Sequence, residues 1–211
     1  MAPTANLAFS LPAHSRSTTP VSRTEAVRAL PSLHVAFLRG SGPAKKAPGA
    51  ELHACFGAAG HDPVIPVLST GNVVFGSGTD RAAPTPEAIE ALLQRHFGYR
   101  IPAILRTGEE IADMFAATPF AAIAAAKYHR FVTLTRDGRL PEELPEPPPG
   151  SDFRFVGRLK GNLFVIRDNR AAGTPQMMAF IERALGGTVT TRNWNTMEKI
   201  ARLLPGANPS R

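Results

Sequence analysis

The chain has 211 residues, 43% of them hydrophobic, and carries 24 Lys and Arg against 17 Asp and Glu, a formal net charge of +7. That apolar share supports a packed core in one large or two small domains and excludes wholesale disorder. A single cysteine excludes an internal disulfide and any zinc site built on several thiolates, and no uninterrupted apolar run reaches the roughly 18 residues of a membrane-spanning helix.

Residues 1–31 are Pro-, Ser- and Thr-rich, with three Arg against Glu25. They read as a disordered leader with a short helical turn over Thr24 to Leu30. The segment lacks the compact apolar run of a secretory signal. It resembles an organelle transit peptide only faintly; a tail or an upstream start codon accounts for it better. The cytoplasm is the expected location.

The first strand is Leu33 to Arg39, continuously apolar through Val35-Ala36-Phe37-Leu38 as a central buried strand would be. Gly40 to Pro48 is a loop. Ala50 to Ala59 is a short helix stopped by Gly60, with Leu52, Cys55 and Phe56 on one face, so Cys55 reads as a buried, inert thiol. Pro63 to Leu68 is a strand that Pro66 assigns to an edge. Ser69 to Asn72 is a turn, and Asn72 to Phe75 the next strand. Thr85 caps a helix over Pro86 to Gly98, and Ile101 to Arg106 is a fourth strand. This order, β-α-β-β-α-β, is that of ferredoxin-like domains.

The second part repeats the scheme loosely. Thr107 caps a helix from Gly108 to Ala117; Phe120 to Ala126 is an alanine-rich turn; Phe131 to Thr135 is a strand. Arg139 to Leu144 reads as a turn or short helix, leading into a proline-rich acidic loop to Gly150. Phe153 to Val156 and Asn162 to Arg167 form a hairpin around Lys160-Gly161. Thr174 caps a helix over Pro175 to Leu185, Gly186-Gly187 stops it, and Thr188 to Thr190 is the last strand. The expected fold class is therefore α+β: two ferredoxin-like halves, residues 32–107 and 108–211, packed together with an extra C-terminal helix. No residue-level repeat between them is legible, so the duplication reads as architectural only.

The chain closes with the corner Thr191-Arg192-Asn193-Trp194-Asn195-Thr196 and a helix from Asn195 to Leu204, whose Met197, Ile200, Ala201 and Leu204 share an apolar face. Asn195 is the expected N-cap, with Glu198 three residues on as in a capping box. In a purely structural reading Trp194 packs, Asn195 caps and Arg192 is solvated. In a functional reading the helix N-terminus attracts an anion, Arg192 grips it with a bidentate fork, and Asn193 and Trp194 add hydrogen bonds and a stacking face. The functional reading requires the guanidinium and the indole to face solvent.

Three stretches carry a family resemblance: Ala36-Phe37-Leu38-Arg39-Gly40, Ser69-Thr70-Gly71-Asn72-Val73-Val74-Phe75, and the closing Thr-Arg-Asn-Trp-Asn-Thr. Thr118-Pro119-Phe120 adds a weaker match. In this order they resemble the bacterial domain-of-unknown-function family 1697, over about Leu33 to Leu204. The resemblance implies two ferredoxin-like halves and no established activity. The loop after Arg39-Gly40 departs from the family pattern, reading Ser41-Gly42-Pro43-Ala44-Lys45-Lys46 where relatives carry Ile-Asn-Val-Gly-Gly.

Charge is uneven. Residues 32–157 hold 12 basic and 13 acidic side chains, whereas residues 158–211 hold 9 and 3. The excess around the closing corner points to an anionic ligand, a nucleic acid or a phosphorylated small molecule. The expected contact set is Arg192, Asn193, Trp194 and Asn195, with Arg39 and Asn72 as further candidates at the strand ends. No dinucleotide, phosphate-loop or zinc-protease signature is present. His53, His61 and His129 are scattered, and Glu109, Glu110 and Asp113 complement a helix dipole. No cofactor or metal is expected, and the oligomeric state is open. The alternatives are an enzyme working in a cleft between the halves through Arg39, Ser69 and Asn72, and a partner-binding module without chemistry.

Overall fold

The computed structural model describes residues 32–40, 47–69, 71–78, 82–170 and 174–207. The leader, the divergent loop 41–46 and Thr70 of the second motif lie outside the described residues. The first half runs β1 (Ser32–Leu38), α1 (Gly49–Ala58), β2 (Val64–Val67), β3 (Asn72–Ser77), α2 (Pro86–Phe97), β4 (Ala103–Thr107), followed at once by α3 (Gly108–Ala116). The second runs β5 (Tyr128–Thr135), β6 (Phe153–Leu159), β7 (Asn162–Asp168), α4 (Pro175–Leu185), β8 (Val189–Asn193), followed at once by α5 (Trp194–Ala201).

Two four-stranded antiparallel sheets result, ordered β2-β3-β1-β4 and β6-β7-β5-β8. These are the same order, and it is the ferredoxin-like one: an α+β protein of two such halves. β1 is central, as its unbroken apolar run requires, and Pro66 sits on an edge strand, where its missing N–H breaks no ladder. The halves differ in one crossover. Between β5 and β6, where the first half has α1, residues 136–152 form no helix. Pro141, Pro145 and Pro147 to Pro149 deny that segment the amide donors of a helix.

Strand alternation puts one face of each sheet toward helices and the other toward the opposite sheet. Ala36, Leu38, Val73 and Phe75 pack on α1 and α2. Leu163 and Val165 pack with Met177 and Ile181 of α4. The opposite faces, Val35, Phe37, Val74 and Ile104 from one sheet and Val132, Leu134, Phe164 and Ile166 from the other, share a single core with α3 and α5. The largest apolar cluster thus belongs to both halves at once.

Two expected caps are corrected. Asn193, not Asn195, is the N-cap of α5, its side chain accepting from the Asn195 N–H at 2.9 Å. β8 runs through Asn193, so the helix begins one residue earlier than the apolar spacing alone indicates. Thr174 precedes α4 without a cap bond; its hydroxyl turns to the Met178 sulfur at 3.9 Å. Thr85 and Thr107 do cap, Thr107 in a full capping box with Glu110.

Candidate functional site

The three motif stretches converge on one side chain. Arg192 leaves β8 toward the opposite sheet: its Nε donates to Asn72 Oδ1 at 2.7 Å and its Nη2 to the Leu38 carbonyl at 2.8 Å. Nη1 is taken up by Thr190 Oγ1 and the Thr191 carbonyl, and the guanidinium carbon lies 5.9 Å from the Phe37 ring centre. Asn72 is fully buried and its amide nitrogen donates back to Val67 O. Register explains the meeting. Asn72 pairs with Phe37 on the inward face of the first sheet, and Arg192 pairs with Val132 on the inward face of the second. Burial pulls the Arg192 pKa down to about 10, which leaves it a cation at neutral pH.

A second arginine answers it from the other half. Arg106 leaves β4, is buried, and donates to Asn162 Oδ1 at 3.2 Å and the Thr135 carbonyl at 2.8 Å. Its Nη1 bonds the preceding carbonyl, Leu105, as Arg192 does with Thr191. Asn162 donates back across its own hairpin to Leu159 O, as Asn72 does to Val67 O. Arg106 and Arg192 occupy the same place in their halves. So do Asn72 and Asn162, each the first residue of its strand, and Leu38 and Thr135, the last residues of theirs. Contacts this reciprocal relate the halves by an approximate two-fold axis.

The relation extends outward. Arg39, just after β1, pairs with Glu182 on α4 at 2.8 Å; Arg136, just after β5, pairs with Glu87 and Glu90 on α2. Each half therefore reaches for the other's long helix. The expectation of a purely architectural duplication is corrected: Val35-x-Phe37-x-Arg39 matches Val132-x-Leu134-x-Arg136, Gly71-Asn72 matches Gly161-Asn162, and Arg106-Thr107 matches Arg192-Asn193. Those short matches were the available signal for the Arg106 and Arg136 contacts, and substitutions between them hide it.

The expected ligand corner is therefore redistributed. Arg192 points inward with its donors engaged, and Trp194 is 5% exposed, stacked on Phe115 at 4.5 Å between ring centres with Phe120 and Phe164 edge-on. An indole beginning a helix that must pack into a shared core turns inward because its area is worth more there. Asn193 caps, Asn195 is exposed, Asn72 is inside and Arg39 is half-exposed against Glu182. Ser69 is exposed, whereas Asn72 is buried. The basic excess is also largely committed. Lys160 pairs with Asp113, Arg167 with Asp152 and Arg170 with Asp168, while Arg158 donates to the Pro141 and Glu142 carbonyls.

The two-fold relation fails at one place, and a hollow lies there. Leu33 and Arg130 occupy equivalent positions, each two residues before the matched Val35 and Val132, and Gly108 and Trp194 each open the helix after the clasp arginine. At the first end, Leu204 closes against Leu33 and Gly108. At the second, Phe115, Thr118, Phe120, Arg130, Trp194 and Glu198 surround a hollow of about 410 Å³. Thr118 holds a positive φ of 44° at the start of the turn that sets Phe120 against Trp194. Arg130 is held by one long contact to Glu198, 3.3 Å, and lies 5.9 Å from the Phe120 ring centre.

Fold and interior together define a protein of two ferredoxin-like halves clasped by reciprocal arginines. The chain belongs to the family described as protein of unknown function (DUF1697), whose model matches residues 32–150. It is similar to the solved structure of the conserved bacterial protein SP0830 from Streptococcus pneumoniae, at 19% identity and a TM-score of 0.57, covering 82% of this chain and 98% of that one. That likeness concerns the fold. Among curated proteins, none matches.

Proposed function

We propose that this is a cytoplasmic binding protein for a small anionic ligand, a phosphorylated molecule with an apolar portion, held in the hollow beside the N-terminus of α5. The single observation that carries the reading is the break in two-fold symmetry. Where one end of the shared core is closed by Leu33, Gly108 and Leu204, the other presents a guanidinium at the mouth of an aromatic hollow. The ligand's anionic group takes Arg130 from Glu198, whose one long contact with it measures 3.3 Å, and the apolar portion lies along Phe120. Charge-assisted, bidentate bonding favours phosphate or carboxylate over a neutral ligand there. The closing corner thus supplies the wall, through Trp194, rather than the fork. No helix among the described residues is long and apolar enough to cross a membrane, and the lone thiol is buried, which fits the proposed setting.

The test uses Trp194, the only tryptophan in the chain, as reporter. Phosphorylated and carboxylated small molecules are titrated while indole emission and melting temperature are followed. At least one should shift both, and Arg130→Gln should abolish the shift. A full panel without effect, or binding indifferent to Arg130→Gln, overturns the proposal.

A further inference from the structure

Along the inward face of the second sheet, the rows beyond Val132 carry arginines and a tyrosine in place of aliphatic side chains. Arg130 and Arg154 both pair with Ile166, and Tyr128 pairs with Asp168 one row further out. The Arg154 guanidinium carbon stands 5.1 Å from the Tyr128 ring centre. Beyond it, Lys127, Tyr128, Asp168, Asn169 and Arg170 line a second hollow of about 410 Å³. Its floor is fixed by backbone: Asn169 donates from its N–H to Lys127 O at 3.1 Å and from its side chain to Ala126 O at 3.0 Å.

The charges at this end do not balance. Arg130 has Glu198, and Arg170 holds Asp168 through both oxygens. Among the described residues, neither Lys127 nor Arg154 has a carboxylate within ion-pair distance. Both are exposed. One uncompensated cation, Lys127, lines the hollow, and a second, Arg154, stands against the ring of the lining Tyr128, with a phenol and an amide as neutral hydrogen-bonding groups and Arg170 engaged at one edge. Asp168 does not spoil the site. The Arg170 side chain and backbone N–H hold its carboxyl far below the usual carboxylate range, so its charge stays spent on Arg170.

We propose that this hollow binds the phosphate group of a phosphate ester, with Lys127 and Arg154 supplying the charge and Tyr128 a hydrogen bond. It is independent of the Trp194 hollow, which lies one row inward on the same face. A phosphate can arrive on a single-stranded nucleic acid or on a phosphorylated small molecule, and the two probes below separate these sources.

Binding of a labelled oligothymidylate of about 12 nucleotides is measured by anisotropy at several salt concentrations, and binding of pyrophosphate by calorimetry. The wild-type chain should bind at least one of them at low salt. Binding of the oligonucleotide alone assigns a nucleic-acid backbone; binding of pyrophosphate with comparable affinity assigns a small phosphate ester. In either case Lys127→Gln with Arg154→Gln should weaken binding about tenfold or more. For a single strand the salt slope should fall by about 0.7, the share of the one phosphate contact that the hollow makes. Arg183→Gln, an exposed arginine on α4, should leave affinity unchanged and reports any merely diffuse charge effect. The proposal is overturned if neither probe binds at low salt, or if Arg183→Gln costs as much as the double substitution.

Discussion

Arg192 Nε and Asn72 Oδ1 meet at 2.7 Å across 120 residues of sequence, and in doing so tie the last strand of the chain to the third. Among the described residues, Arg192 has no carboxylate within ion-pair distance. The guanidinium is satisfied by an amide, a hydroxyl and carbonyls, and burial depresses its pKa without neutralising it. A cation held by dipoles in this way is a geometric lock more than an electrostatic one.

Removing the arginine breaks both ties across the interface. Arg192→Ala loses the charged bonds to Asn72 Oδ1 and the Leu38 carbonyl, and a hydrogen bond to a charged group contributes about 1.5–3 kcal/mol, so a loss of about 2–4 kcal/mol is expected in urea unfolding. Arg192→Lys should recover little of it, because an ammonium cannot fork to both. A double-mutant cycle with Asn72→Ala should give a coupling of about 0.5–3 kcal/mol; strict additivity would contradict a direct lock.

The reciprocal arginine makes the same prediction in the other direction. Arg106→Ala and Asn162→Ala should match the Arg192 and Asn72 variants within about 1 kcal/mol, since each arginine loses a bond to the facing asparagine, one to the facing strand-end carbonyl and one to its own preceding carbonyl, with Gly161 O an extra partner of Arg106 and Thr190 Oγ1 of Arg192. A large imbalance in denaturant midpoints would mean that the two clasps do not share the interface equally.

Trp194 should behave as a core residue. Its emission is expected to be blue-shifted and insensitive to iodide in the unliganded protein, given 5% exposure. Trp194→Ala should cost about 3–5 kcal/mol, the usual range for deleting a buried large aromatic. Trp194→Phe should cost less, because a ring still stacks on Phe115. An iodide-quenched, red-shifted emission would place the indole in water and refute the packing described.

Glu90 sets a pH dependence. Burial raises its pKa, but the hydrogen bond from Arg136, the Ala103 N–H at 2.9 Å and the nearby charges of Arg136 and Arg100 outweigh burial together, so its folded pKa lies below its ordinary 4.5. A carboxyl depressed on folding contributes stability above its unfolded pKa and loses it as pH falls through the folded value. Melting temperature should therefore decline below about pH 4.5. In Glu90→Gln it should be lower at neutral pH and decline less on acidification; an unchanged acid slope would remove Glu90 as a contributor.

Much of this was written in local sequence. Period-two and helical apolar spacing gave the strands and most helices, because each element must hide one face whatever surrounds it. Thr85 and Thr107 capped as their positions demanded. The run Val35 to Leu38 marked a central strand and Pro66 an edge. Two cap assignments failed for a common reason: a cap depends on where backbone dihedrals turn, and apolar spacing fixes that only to a residue or two.

Sequence by itself thus determined the α+β class, the strand order of the first half and the importance of three short motifs. Only the tertiary structure decided what those motifs do. Whether Arg192 faces water or Asn72 depends on how two sheets lie against each other, and that arrangement is set by the joint packing of the shared core's buried residues, 19 among those described, not by any hexapeptide. The same packing made one end of the interface tight, through Leu204, and left the other open beside Arg130. Long-range register is a property of the whole chain, and local sequence carries no term for it.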